Sequence, residues 1–200
     1  MRSEPFLWIH LAGIAVVPLS LQLVWLGLAI GTPLPFFWLE LLAIALIGIV
    51  PVFLMQWNRP FDIFSLMLVS IKPEHLSEAR RRILSLFARK SQQLLALIAA
   101  IVMLVLLWQI YRLAPLAAIA ATPIPQYRLL GLVIAIVGFW LSNLFFQVPV
   151  SVLGVLLVGK QQFASTEPWP VENIAKKFTI PGFRVNKIPF LPPEPTIQTQ

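Results

Sequence analysis

The chain has 200 residues, of which 58% are apolar and 12% charged, and its formal net charge is +7. That charged fraction is roughly half of what covers a soluble globular domain, so lipid must be the solvent for much of the surface. Cysteine is absent and histidine occurs twice, which excludes disulfides, thiolate catalysis, iron–sulfur clusters and thiolate zinc sites.

Pro5 to Leu39 contains no charged residue. A first membrane span is predicted from about Phe6 to Ile30, too long in its apolar stretch for a cleaved signal peptide. It stops at Gly31-Thr32-Pro33-Leu34-Pro35, and a second span runs from about Phe36 to Trp57. Prolines spaced by one residue force an extended turn between them. Phe61 to Ile71 is too short to cross and is expected to lie at the interface or re-enter.

From Glu74 to Lys90, the residues Leu76, Ala79, Ile83, Leu86 and Phe87 recur in steps of three and four, with Arg80, Arg81, Arg82, Arg89 and Lys90 on the opposite face. This predicts a basic amphipathic helix on the bilayer surface, its apolar side chains in the acyl boundary and its cations contacting lipid or a partner. A solvated face that orients the next span is the plainer alternative. A third span follows from about Gln93 to Tyr111 and a fourth from about Leu129 to Gln147. Pro149 then opens a second short apolar piece, Val150 to Val158. The tail after Lys160 has seven prolines, including Pro192, Pro193 and Pro195, and is expected to be extended.

The fold class is therefore all-α integral membrane, with four transmembrane helices. Its units are 1–71, a first two-span unit; 72–92, the amphipathic helix; 93–159, a second two-span unit; and 160–200, the tail. All but Arg112 and Arg128 of the 15 basic residues lie in the termini or the large loop, which places those segments in the cytoplasm by the positive-inside rule. The positive charge accordingly reflects orientation and anionic headgroups, with no nucleic acid as partner.

The halves resemble each other. Thr32-Pro33-Leu34-Pro35 returns ninety residues later as Thr122-Pro123-Ile124-Pro125. At that offset Leu39, Ile44, Ala45 and Gly48 coincide with Leu129, Ile134, Ala135 and Gly138. With one residue deleted, Pro60 meets Pro149, and Leu68-Val69-Ser70 meets Leu157-Val158-Gly159. The repeating unit has an even number of spans, so two copies would be related by an axis along the membrane normal.

Glu40 is the one acidic residue inside a predicted span. It falls about one turn into its helix, where the dipole favours negative charge, and Arg112 and Arg128 at similar depth are candidate ion-pair partners. This structural role is favoured over proton or ion transfer. His10 is a candidate chlorophyll ligand if the membrane holds that pigment, although an interfacial imidazole held by a hydrogen bond is the favoured reading. Gln22, Gln109, Asn143 and Gln147 read as hydrogen-bonding groups between helices. Trp8, Trp25, Trp38, Trp57, Trp108 and Trp140 read as an interfacial belt. No phosphate-binding Gly loop, His-Glu-x-x-His motif or serine elbow occurs, so no enzyme is expected.

Several strings occur together: Ser3-Glu4-Pro5-Phe6-Leu7-Trp8-Ile9-His10, Met55-Gln56-Trp57-Asn58-Arg59-Pro60-Phe61, Tyr111-Arg112-Leu113-Ala114-Pro115, Gln147-Val148-Pro149-Val150-Ser151 and Phe178-Thr179-Ile180-Pro181-Gly182-Phe183. In combination they resemble a cyanobacterial family named for its form, the low-complexity tail membrane proteins, over about 1 to 190. The resemblance implies a photosynthetic bacterium and a thylakoid location, and brings no catalytic residues with it. The expected function is a non-enzymatic accessory subunit or assembly factor of a photosystem or related complex, with chlorophyll or carotenoid as possible pigments. The competing expectation is a small transporter or channel built from the duplicated halves and Glu40.

Overall fold

A computed structural model of the chain describes residues 2–66 and 69–186. In chain order its helices are α1 (Pro5–Ala29), α2 (Phe37–Asn58), α3 (Glu78–Phe87), α4 (Lys90–Ala121), α5 (Arg128–Leu156), α6 (Lys160–Ala164) and α7 (Val171–Lys177). Strands β1 (Ser65–Leu66), β2 (Val69–Ile71) and β3 (Phe183–Val185) form one small sheet. Helices α1, α2, α4 and α5 are each long and apolar enough to cross a bilayer.

Proline shapes these spans. Pro18 lacks an N–H, and its ring crowds the carbonyl of Ile14, one turn earlier. Over Gly13–Ala15 the helix accordingly tightens into a 3₁₀ turn. A second 3₁₀ turn, Ala114–Ala117, surrounds Pro115 in α4. Beside it the Trp25 indole N–H donates to the Leu113 carbonyl at 2.7 Å, fastening α1 to α4. Pro51 and Pro149 sit inside α2 and α5, as neighbouring helices in a membrane bundle permit. The second proline-led piece predicted from the sequence is therefore the last part of α5, whereas Pro60 lies just beyond the end of α2.

Small residues hold α1 against α5. A Cβ on Gly27 would lie 2.6 Å from the Gly131 carbonyl oxygen and 2.7 Å from the Ala135 nitrogen, so these backbones approach as only glycine allows. Lower in the same contact, Ser142 Oγ donates to Ser20 Oγ at 2.8 Å. Helix α1 packs mainly on α5, while α2 packs on both α5 and α4. The halves diverge after Pro60 and Pro149, and Leu68 of the repeat lies outside the described residues.

The end of the bundle that carries the start of α1 and the end of α5 is capped by a compact layer. Phe61–Ile71, expected to be an interfacial or re-entrant piece, instead contributes β1 and β2. They pair antiparallel, Ser65 with Ser70, and β2 pairs parallel with β3, Val69 with Phe183. The backbone of this apolar run is thus satisfied by strands, the third supplied from the tail. The extended tail is a correction of the same kind: between 160 and 185 it forms α6, α7 and β3. Pro192, Pro193 and Pro195 lie outside the described residues.

Helix α3 forms where the amphipathic pattern predicts it, with Ser77 as N-cap accepting from the Arg80 N–H. Its apolar face is not in the acyl boundary. Leu76, Ile83, Leu86 and Phe87 are buried with Phe6, Phe64, Val152 and Phe178 in the core of the cap. An apolar stripe specifies a dry partner without saying whether that partner is lipid or protein.

Candidate functional site

Glu40 and Arg128 meet at the opposite end of the bundle, where both Thr-Pro-x-Pro turns lie. Glu40 is in the first turn of α2 and 1% exposed. Its Oε1 accepts from Arg128 Nε at 2.6 Å and from the Leu34 N–H at 2.8 Å. Its Oε2 accepts from Arg128 Nη2. Arg128, the first residue of α5, also donates through Nη1 to the carbonyls of Leu28 at 2.9 Å and Ile30 at 3.0 Å. These are carbonyls at the end of α1 that the helix ladder leaves without donors. The negative charge in the first turn of α2 and the guanidinium at the last carbonyls of α1 each complement a helix dipole. A single pair therefore joins the end of α1, the first connecting turn and the starts of α2 and α5. A buried ion pair is tolerated when its remaining hydrogen-bonding capacity is filled, and here each oxygen of Glu40 and each nitrogen of Arg128 has a partner.

The turns dock beside this lock. Gly31 has φ of 70° and donates its N–H to Gln126 Oε1 at 3.0 Å. A Cβ there would lie 2.9 Å from the Arg128 nitrogen, so the position suits glycine both in conformation and in space. Arg112, the other candidate partner of Glu40, is exposed and makes no ion pair or hydrogen bond among the described residues. The structure places it on the wall of a pocket between α1, α2 and α4.

The remaining candidates lie at the capped end. His10 Nδ1 is 2.8 Å from the Phe6 carbonyl. A carbonyl only accepts, so this nitrogen carries the proton. The ring packs 5.6 Å from that of Phe61, so its contacts are between α1 and the strand layer.

Of the five basic residues assigned to lipid or a partner, four turn to the chain itself. Arg80 pairs with Glu4 through Nε at 3.2 Å and Nη2 at 3.3 Å, and its guanidinium carbon lies 5.5 Å from the centre of the Phe6 ring. Arg81 donates to the Trp169 carbonyl and Arg82 to that of Ala164, while Arg89 donates to Thr166 Oγ1 at 2.8 Å. Ser85 adds a 2.7 Å bond to the Glu167 carbonyl. Together these side chains clasp residues 164–169. Lys90 is exposed at the start of α4.

Two features had escaped the sequence. The Glu4–Arg80 pair links residues 76 apart, with no local pattern to announce it. Asp62 sits in the turn before β1 and is fully buried. Its Oδ1 accepts from the Phe64 N–H at 3.0 Å, while Oδ2 has no partner among the described residues. Burial raises its pKa to about 6, against the opposing effect of that N–H.

The four polar span residues separate into two pairs. Asn143 and Gln147 are buried; Asn143 donates to the Phe139 carbonyl at 2.9 Å and Gln147 to Asn143 Oδ1 at 3.4 Å. Gln22 and Gln109 point outward instead, exposed and without a hydrogen-bond partner among the described residues.

Four apolar spans closed at one end by a charged lock and at the other by a small strand-and-helix cap define an integral membrane protein of the helical-bundle class. Within that class, the chain belongs to the low-complexity tail membrane protein-like family, which matches it over residues 3–190. No curated protein and no solved structure matches it.

Proposed function

We propose that the chain is a non-enzymatic accessory subunit or assembly factor that docks, within the bilayer, onto a larger integral membrane complex. The observation that carries this reading is the outward-facing pair Gln22 and Gln109. The Trp25–Leu113 hydrogen bond sets the parallel helices α1 and α4 in register. Gln22 precedes Trp25 by three residues and Gln109 precedes Leu113 by four, about 4.5 and about 6 Å along the axes. Two exposed amides therefore lie within about two turns of one contact between adjoining helices, inside the apolar length of their spans. Lipid tails offer them no hydrogen bonds, whereas a partner helix with a polar side chain at that depth does, each bond contributing about 0.6 to 1.7 kcal/mol.

The saturated contacts of Glu40 and Arg128 support an architectural role over transport for the charges in the spans. The cyanobacterial resemblance points to a thylakoid complex such as a photosystem as the partner, with the capped end in the cytoplasm. Purification of the tagged protein from its native membranes in mild detergent tests the reading. The unaltered protein should co-isolate with another integral membrane protein, and Gln22→Leu with Gln109→Leu should lower the yield of that partner several-fold. A protein that runs alone, or a partner retained equally by the variant, overturns it.

A further inference from the structure

Arg112 is the charged group that the lock leaves over. The turn end holds two arginines and one carboxylate; Glu40 neutralises Arg128, and Arg112 remains an exposed, uncompensated cation among the described residues. It lines a pocket of about 350 Å³ bounded by Leu28, Ala29 and Pro33 on one side and by Phe37, Trp108 and Tyr111 on the other. Those three rings form a continuous wall. Phe37 stacks on Tyr111 at 5.8 Å, and Tyr111 on Trp108 at 6.3 Å with an interplanar angle of 17°. The Tyr111 hydroxyl and the Trp108 indole N–H have no hydrogen-bond partner among the described residues. The pocket thus joins an apolar flank to a cation and two neutral donors.

Its position selects the occupant. Ala29 is the last residue of α1 and Phe37 the first of α2, and both line the pocket together with the turn residues Gly31 and Pro33, so the pocket is at the boundary between acyl chains and headgroups. A small soluble anion would satisfy Arg112 and leave the aromatic wall uncovered. A neutral lipid would cover the wall and leave the guanidinium without an anionic partner. We propose that this pocket binds one anionic membrane lipid, with headgroup oxygens on the guanidinium of Arg112 and an acyl segment against Phe37, Trp108 and Tyr111. The planar fork of arginine matches two oxygens of one phosphate or sulfonate. The inference stands independently of any protein partner.

The test is native mass spectrometry of the detergent-solubilised full chain, titrated with phosphatidylglycerol and, separately, with a diacylglycerol, which has the same acyl chains and no phosphate. The unaltered protein should retain one phosphatidylglycerol in preference to diacylglycerol. Arg112→Gln should weaken phosphatidylglycerol retention about tenfold and leave diacylglycerol unchanged, while Lys160→Gln, at an exposed lysine of the capped end, should retain both lipids as the unaltered protein does. Arg112 is exposed, so Arg112→Gln should also unfold at the same temperature, which separates lost binding from lost fold. Equal retention of phosphatidylglycerol by Arg112→Gln, or of both lipids by the unaltered protein, overturns the proposal. Displacement of the lipid by millimolar glycerol phosphate also overturns it, because the site would then be one for a soluble phosphate.

Discussion

Asp62 is a buried carboxyl with one oxygen that has no partner among the described residues, at a place where the strand layer must turn. Its ordinary pKa is 3.8 and its value in the fold is about 6. Below about pH 4 both the folded and the unfolded chain hold the proton, and the residue brings no penalty. Between about 4 and 6 the folded state binds more protons than the unfolded one, so stability falls as pH rises. Above about 6 the full cost is present, on the order of 3 kcal/mol for a shift of this size. The stability of the unaltered protein relative to Asp62→Asn should therefore fall as pH rises from 4 to 7. Thermal unfolding of both proteins in the same detergent measures this difference, and a difference that stays constant across the range would mean that the carboxyl is not held protonated by burial.

At the scale of elements, α3 shows what a local pattern can and cannot specify. Ser77 and the apolar steps from Leu76 to Phe87 locate the helix and its dry face, but the partner of that face comes from residues far away in sequence: Phe6, Val152 and Phe178. The strands were hidden for a similar reason, since β2 pairs with residues more than a hundred positions later. The four spans were legible because an uncharged run of sufficient length has few alternatives. Their orientation about their own axes was not, because helices that are apolar all round carry no periodicity to separate core from lipid. Gln22 and Gln147 therefore read alike in the sequence, as did Arg112 and Arg128. The clasp on residues 164–169 belongs to this scale as well. Replacing Arg81, Arg82 and Arg89 by Gln removes hydrogen bonds worth about 0.5 to 1.5 kcal/mol each on a half-exposed surface. Amide exchange between 164 and 185 should accelerate by roughly thirtyfold, as about 2 kcal/mol of lost protection implies. Exchange in α2 and α5 should not change. Unaltered protection in the tail segment would show that the strand pairing and the cap core hold it without the arginines.

For the whole molecule, the two ends of the bundle differ in kind, and that difference yields a prediction of its orientation. Among the described residues, 12 of the 14 basic residues lie at the capped end; at the turn end only Arg112 and Arg128 remain, and Glu40 neutralises the second. Positive charge next to a span resists transfer across the membrane, whereas acidic charge has little influence, so the asymmetry predicts that the cap stays in the cytoplasm and the turns emerge on the far side. The fold adds a constraint on the number of crossings, because the cap assembles from the first residues, the loop between α2 and α4, and the described part of the tail, and these segments meet only if all of them remain on one side. Since the chain has no cysteine, a single introduced thiol reports its own location without background. With the chain expressed in the plasma membrane of a bacterial host, Thr122→Cys, in the second turn, should react with a membrane-impermeant maleimide added outside spheroplasts, and Lys160→Cys, at the start of α6, should react only after the membrane is opened. The reverse pattern would place the cap outside and the Arg112 pocket in the cytoplasmic leaflet. Labelling of both thiols from outside would mean that the four helices do not all cross.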